Sequence, residues 1–255
     1  MENALTGSLP FVASDHSVLV SGLLGSLAAG VAWALYRYHY RPSCTRRRVG
    51  VKTQQALRRY VLFESTHRKP DSVLQAFREY ASKDRVMRGL LFTVEQESFL
   101  EEAVKQCQPK TSLVLGTQCG YSAIRLLRLV PSDGILYAVE QEESMADSAE
   151  EMILVAGFKN NQFKVLCQHP VDAIHVLKSQ FGLKKVDLVL MDSRHDQHGQ
   201  GLMALAEVGI LHPGTLILVN NKDCPRSKGF MKEAKDYRKV DACKGLLKVE
   251  YVQPK

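Results

Sequence analysis

Leu113-Val114-Leu115-Gly116-Thr117-Gln118-Cys119-Gly120-Tyr121-Ser122, followed by Glu140 at the end of the apolar run Ile135 to Val139, is the stretch that decides the reading of this chain. Three aliphatic residues running into a glycine describe a short strand buried on both faces. Gly116 and Gly120 describe a turn that opens a helix, whose unpaired backbone N–H groups and positive dipole end suit an anionic group. An acid twenty residues beyond Gly120, at the end of the next strand, suits both hydroxyls of a ribose. The competing structural reading makes the glycines an ordinary strand-to-helix turn and Glu140 a solvated cap. The spacing of the acid from the turn favours a nucleotide-type cofactor site. Gly-x-Gly-x-x-Gly spacing is lacking, which argues against a dinucleotide-dependent oxidoreductase.

Outward from that turn, strands and helices alternate. Helical spacing covers 54–63 and 71–82, the latter with Val73, Leu74, Phe77, Tyr80 and Ala81 on one face. Thr93 with Gln96 makes a capping-box start for a helix reaching Cys107. Strands are expected at 112–115, 135–139, 162–166, 186–191, 215–219 and 246–252. Helices are expected at 121–130, 143–156, 171–180, 200–209 and 227–237, with Gly157 closing one and Pro170 opening another. Single helices between strands imply right-handed parallel crossovers, hence an α/β fold with a doubly wound, mostly parallel sheet. Ligands then gather beyond the carboxyl ends of the strands: Gly116 to Ser122, Glu140, Gln168 to Pro170, Asp192 to His198, and Asn220 with Asn221.

The N-terminus is of a different kind. Residues 18–36 carry no charge over nineteen positions, about the length a helix needs to cross a hydrocarbon core of ~30 Å. Positive residues follow this run and Glu2 and Asp15 precede it, the reverse of a cleaved signal peptide. The division is therefore a short extracytoplasmic tail (1–17), a transmembrane helix (18–36), a basic juxtamembrane linker (37–53) and a cytosol-facing domain (54–255). A soluble buried helix is the alternative for 18–36, disfavoured by the charge asymmetry. Gly22, Ser26 and Gly30 recur every four residues and would let two such helices pack as a dimer, though small residues are common in spans in any case. Cys44 and Arg46-Arg47-Arg48 suit palmitoylation and anionic lipid, or simply a stop-transfer signal and linker.

Bulk numbers exclude more than they assign. Of the formal net charge of +7, residues 1–57 hold +4, leaving +3 over the other 198 residues, too little and too scattered to suggest nucleic acid. Six cysteines show neither Cys-x-x-Cys pairs nor zinc-type His spacing, so a reduced domain without a structural metal is expected.

These residues resemble the catechol O-methyltransferase family. The likeness is carried by Gln55-Ala-Leu-Arg-Arg-Tyr-Val61 with Asp71-Ser-Val-Leu-Gln-Ala76, which is similar to its helical cap, by Cys119-Gly-Tyr-Ser-Ala-Ile-Arg125 at its cofactor turn, and by Asp187-Leu-Val-Leu-Met-Asp192 at its metal-bearing strand. Membrane-bound members of the family also carry one N-terminal anchor. The resemblance implies S-adenosylmethionine as methyl donor and Mg²⁺ chelating a catechol. It places the methionine portion at Gly116, Gly120, Tyr121 and Ser122, the ribose at Glu140, and Gln141 and Ser193 beside the cofactor. The metal ligands would be Asp192, Asn220 and Asn221, and His195 falls where the family has its catalytic lysine.

Departures concentrate in that same site. The family's glutamate in the first strand is Val114, its adenine-contacting serine is Pro170, and its second metal-ligand aspartate is Asn220. The resemblance therefore implies Mg²⁺ bound more weakly than in the family, or not at all. His195, with an ordinary pKa near ~6.5, suits a general base at neutral pH. His195 and His198 together could shift the preference toward a transition metal, but a solvated loop is the favoured reading for His198. The one tryptophan, Trp33, lies in the span, and Arg194 stands at an expected aromatic position of the substrate wall, which suits a different, acidic aromatic acceptor. The 24 residues that separate Asn221 from Leu246 look too few for the family's helix, strand and hairpin loop. Two functions compete: an S-adenosylmethionine-dependent O-methyltransferase for a catechol-like small molecule, and a weak or inactive methyltransferase-fold protein serving as a membrane-tethered binding or trafficking module.

Overall fold

The computed structural model of the chain describes residues 50–193, 197–221 and 236–252. The expected membrane helix 18–36, His195 with its neighbours Arg194 and Asp196, and nearly all of the expected helix 227–237 lie outside these residues. Among the described residues, no helix is long and apolar enough to cross a membrane.

Four helices come first: α1 (Val51–Glu64), α2 (Pro70–Ser82), α3 (Arg85–Leu90) and α4 (Val94–Cys107). Helix α2 begins with Pro70 in its first turn and buries Val73, Leu74, Ala76, Phe77 and Ala81. Helix α4 opens on the expected capping box, in which the Gln96 N–H donates to Thr93 Oγ1 and the Thr93 N–H to Gln96 Oε1. Six-residue α3 was not expected, because so short a helix leaves almost no periodic signal.

The alternating part follows as β1 (Thr111–Leu115), α5 (Tyr121–Leu127), β2 (Ile135–Glu140), α6 (Glu143–Val155), β3 (Phe163–Cys167), α7 (Pro170–Ser179), β4 (Leu188–Met191), α8 (His198–Val208) and β5 (Leu216–Asn220). The chain then forms β6 (Tyr237–Cys243) and β7 (Leu246–Tyr251). The seven strands lie in the order β3-β2-β1-β4-β5-β7-β6, with β1 to β5 parallel and β7 antiparallel to both neighbours. Successive residues of β1 show the two-sided burial. Val114 joins the core shared with the four N-terminal helices, α5 and α6, while Leu113 and Leu115 join the core shared with α7 and α8. Connections leave β1 for β2 and β3 on one side, then return to β4 on the other. The crevice beyond β1 and β4 is the switch point, where such sheets bind ligands.

Two expectations at the C-terminus are corrected. Tyr237 opens a strand rather than closing a helix, and β6 with β7 forms the hairpin for which the chain had looked too short. Lys244 and Gly245 turn it in two residues, both at positive φ (47° and 87°), as a tight hairpin turn demands. Strand β6 escaped notice because it is an edge strand with Arg238, Lys239, Val240 and Asp241 all exposed, so the inward-outward alternation that marks a strand is missing.

Candidate functional site

Glu140 ends β2 at the rim, and only 7% of its surface is exposed. Its Oε2 accepts the Gln118 N–H at 2.8 Å, and its Oε1 accepts those of Gln141 at 2.9 Å and Glu142 at 3.3 Å. Burial pushes this carboxyl above the ordinary range, against the three N–H groups that hold it down. It is a carboxylate positioned by backbone, not the solvated cap of the competing reading.

The turn between β1 and α5 is shaped by what it touches. Gly116, at φ +84°, lies so close to the chain after β4 that a Cβ there would sit 2.5 Å from Ser193 Cα. At Gly120, with φ +94°, an added Cβ would lie 3.1 Å from the backbone of Ala149 in α6. Most of the turn's N–H groups are spent internally: Gly116 and Thr117 donate to Val139 O, Gln118 to Glu140, and Gly120 to Thr117 O. The glycines thus let the turn nest between α6 and the end of β4. Cys119 is sealed in it, and burial together with the charge of Glu140 pushes its thiol up to about 12, so it stays protonated.

Tyr121 and Ser122 were expected to act together, and the structure separates their side chains. Tyr121 points away from the rim into the helical cap, packing on Phe77 and Phe92 and donating its hydroxyl to Glu97 Oε1 at 2.5 Å. Arg125 and Arg78 pair with the same glutamate. Ser122 points the other way and donates to Asp192 Oδ2 at 2.8 Å. Asn220 donates its amide to Asp192 Oδ1 at 2.7 Å. Asp192, 2% exposed, therefore ties the start of α5 and the end of β5 to the end of β4. Asn221 is buried beside it, and its N–H donates to Gly245 O at 2.8 Å in the β6–β7 turn.

Other residues expected at the strand ends also meet at the rim. Gln197 donates to Gln141 Oε1 at 3.1 Å and lies 3.3 Å from His169 Nε2, so three side chains bridge the ends of β2, β3 and the start of α8. His198 is fully buried with Nε2 3.1 Å from Ser193 O, which corrects its reading as a solvated loop residue. His195, the expected base, lies outside the described residues.

The residues can be tested against each group the resemblance implies. Thr117 Oγ1, Gln168 Oε1 and Ser193 Oγ, just past the ends of β1, β3 and β4, are buried with no hydrogen-bond partner among the described residues. Buried polar atoms are nearly always bonded, so a rim holding three that are not, beside a backbone-held carboxylate, fits a polar ligand such as an adenosyl cofactor. Mg²⁺ does not fit in the same way. The described residues hold no group of three or more His, Cys, Asp or Glu able to bind a metal, and the one rim carboxylate at the expected ligand positions already accepts from Ser122 and Asn220.

A family model described as O-methyltransferase matches residues 64–239. Mouse catechol O-methyltransferase is 29% identical over 182 residues, 71% of this chain and 67% of that protein. Human transmembrane O-methyltransferase is 27% identical over 186 residues, 73% of this chain and 63% of that protein, so the chain spans under two thirds of that relative's length. Among solved structures, the O-methyltransferase from Bacillus cereus in complex with SAH is similar at a TM-score of 0.55 and 19% identity, covering 80% of this chain and all of that one. TomG from Streptomyces achromogenes, an O-methyltransferase in complex with SAM, is similar at 0.53 and 21% identity over 76% of this chain and 93% of that one. At these identities the solved structures speak for the fold alone. With its fold and about two thirds of its length matched in this way, the chain belongs to the O-methyltransferase family, among relatives named catechol and transmembrane O-methyltransferases.

Proposed function

We propose that the chain binds S-adenosylmethionine across the carboxyl ends of β2, β1 and β4 and transfers its methyl group to one hydroxyl of a catechol-like small molecule. The observation that supports this best is the backbone-held carboxylate of Glu140 on a rim where Thr117 Oγ1, Gln168 Oε1 and Ser193 Oγ, just past the ends of β1, β3 and β4, are buried without a hydrogen-bond partner among the described residues. When bound, the cofactor supplies an electrophilic methyl on a sulfonium. The rest is alignment. Glu140 accepts from the ribose, its carboxylate already oriented before the ligand arrives. Gly116, Gly120, Tyr121 and Ser122 would hold the methionine portion at the turn that opens α5. Gln141 and Ser193 flank the adenosine. His195 takes the proton of the attacking hydroxyl.

Isothermal titration of S-adenosylhomocysteine into the full chain, followed by mass-spectrometric detection of a methylated catechol, tests the reading. Micromolar binding that weakens at least tenfold in Glu140→Ala, with methyl transfer, is the expected result. A folded chain that takes up no cofactor at millimolar concentration would establish the competing reading, a membrane-tethered module without turnover.

The anchor belongs to the same proposal. Residues 18–36 form a transmembrane helix with the domain on the cytosolic side, supported by the uncharged stretch, the basic residues after it, and relatives named as transmembrane. Extraction of the full chain by alkaline carbonate would remove this part, and crosslinking that finds only monomers would remove the helix-mediated dimer.

A further inference from the structure

We infer that the Asn220 amide stands in for the divalent cation of related sites, so that this rim is assembled and works without one. The inference concerns the cation side of the methyl transfer proposed above and rests on that reading only for its consequence. It starts from Asp192, whose two oxygens accept from Ser122 at 2.8 Å and from Asn220 at 2.7 Å in an almost dry setting.

By resemblance, position 220 is where an aspartate would stand. Two carboxylates with oxygens this close, with so little water, repel one another, and a cation between them is held both by their joint charge and by the repulsion it relieves. Asn220 removes both sources at once. It takes away one charge, and it places an N–H donor against the remaining carboxylate, so that the oxygen a cation would neutralise is already compensated.

Accepting a cation would cost the chain more than one contact. Asn220 would have to turn its amide over to present oxygen, giving up its hydrogen bond to Asp192. Mg²⁺ would then find one carboxylate and two neutral amides, where it favours several oxygens in near-octahedral array and gives up its water reluctantly. Asn221, at the third ligand position, is tied through its backbone to the β6–β7 turn. Ser122 and Asn220 already do the structural part of the ion's work, joining the start of α5 and the ends of β4 and β5 through one carboxylate.

Reinstating the second acid makes this testable. Thermal unfolding of the full chain is followed with 10 mM MgCl₂ and with chelator at matched ionic strength, for the parent, Asn220→Asp, and the exchanged pair Asp192→Asn with Asn220→Asp. Parent and exchanged pair should move by less than about 1 °C between the buffers. Asn220→Asp should be weakened in chelator and regain about 5 °C or more with Mg²⁺. A parent stabilised by about 5 °C, or a folded Asn220→Asp indifferent to Mg²⁺, overturns the inference. Should Asn220→Asp not fold, titration of Mg²⁺ alone into the parent decides: a Kd below about 0.1 mM overturns it, and no saturable heat up to about 5 mM upholds it. Titrating S-adenosylhomocysteine in both buffers keeps the two claims apart. Affinity that is lost in chelator counts against the inference, affinity unchanged by chelator supports it, and no binding in either buffer sinks the functional reading while the unfolding comparison still decides the cation.

Discussion

The rim of this sheet is finished in two ways. Glu140 is held by backbone alone, and on the same rim polar atoms of Thr117, Gln168 and Ser193 are buried with no hydrogen bond among the described residues. Around Asp192, the carboxylate is met by Ser122 and Asn220 at 2.8 and 2.7 Å. Both halves sit at the carboxyl ends of the same parallel strands, and each is centred on one buried acid. The difference is in where the hydrogen bonds are completed. A half left incomplete costs stability until a ligand arrives, whereas a half completed internally gains nothing from one. The first has the character of a binding site and the second that of a fastening.

The seam between the halves is where the comparison breaks most easily. Gly116→Ala brings a Cβ to within 2.5 Å of Ser193 Cα at a φ of +84°, with backbone rather than a flexible side chain in the way. We expect a loss of about 3 kcal/mol or more in chemical denaturation, together with loss of cofactor binding. Stability within about 0.5 kcal/mol of the parent would show that the two halves are not in contact as described.

A smaller effect comes from pH. Because burial raises the folded carboxyl of Glu140, the stability linked to this group is fully present below its unfolded pKa and is lost as pH rises through the folded value. The unliganded chain should therefore lose stability relative to Glu140→Gln as pH climbs from about 4.5 toward neutrality. Cofactor affinity should move the other way, falling as acid protonates the acceptor of the ribose. Titrations of affinity and unfolding at matched pH values check both signs, and parallel trends would detach Glu140 from the ligand.

The smallest expected change is the most discriminating. Ser193→Ala removes a buried hydroxyl without a partner, so stability should stay within about 0.5 kcal/mol of the parent or rise slightly. Cofactor affinity should drop by about threefold to tenfold, the worth of one hydrogen bond. Lower stability with unchanged affinity would mean that the hydroxyl serves the fold, and the contrast between the halves would blur.

Much of this architecture was legible because its signals are local. Runs such as Leu113-Val114-Leu115 and Ile135 to Val139 are apolar without interruption because both sheet faces are covered. The glycines of the turn and the capping box of α4 announce themselves within a few residues. Strand β6 did not, since an exposed edge has no inward face to pattern. The direction of Tyr121 was also hidden. It stands next to Ser122 in a helix, and only the packing of α4 and the partner Glu97 decide that one side chain enters the cap and the other the rim.

The sequence by itself determined the order of the elements from β1 to β5, their parallel sheet, the place of the glycine turn and the presence of an acid at the end of β2, because each depends on hydrophobic period or backbone freedom within a short window. Only the tertiary structure decided which polar groups meet: that Gly116 is needed by Ser193, that His198 is buried, that His169, Gln141 and Gln197 join over the rim, and that Asn220 turns a donor to Asp192. Hydrogen bonds between residues 28 or 70 positions apart, as in the Asp192 pairs, have no period to read, and they exist only once the strands that carry them lie side by side.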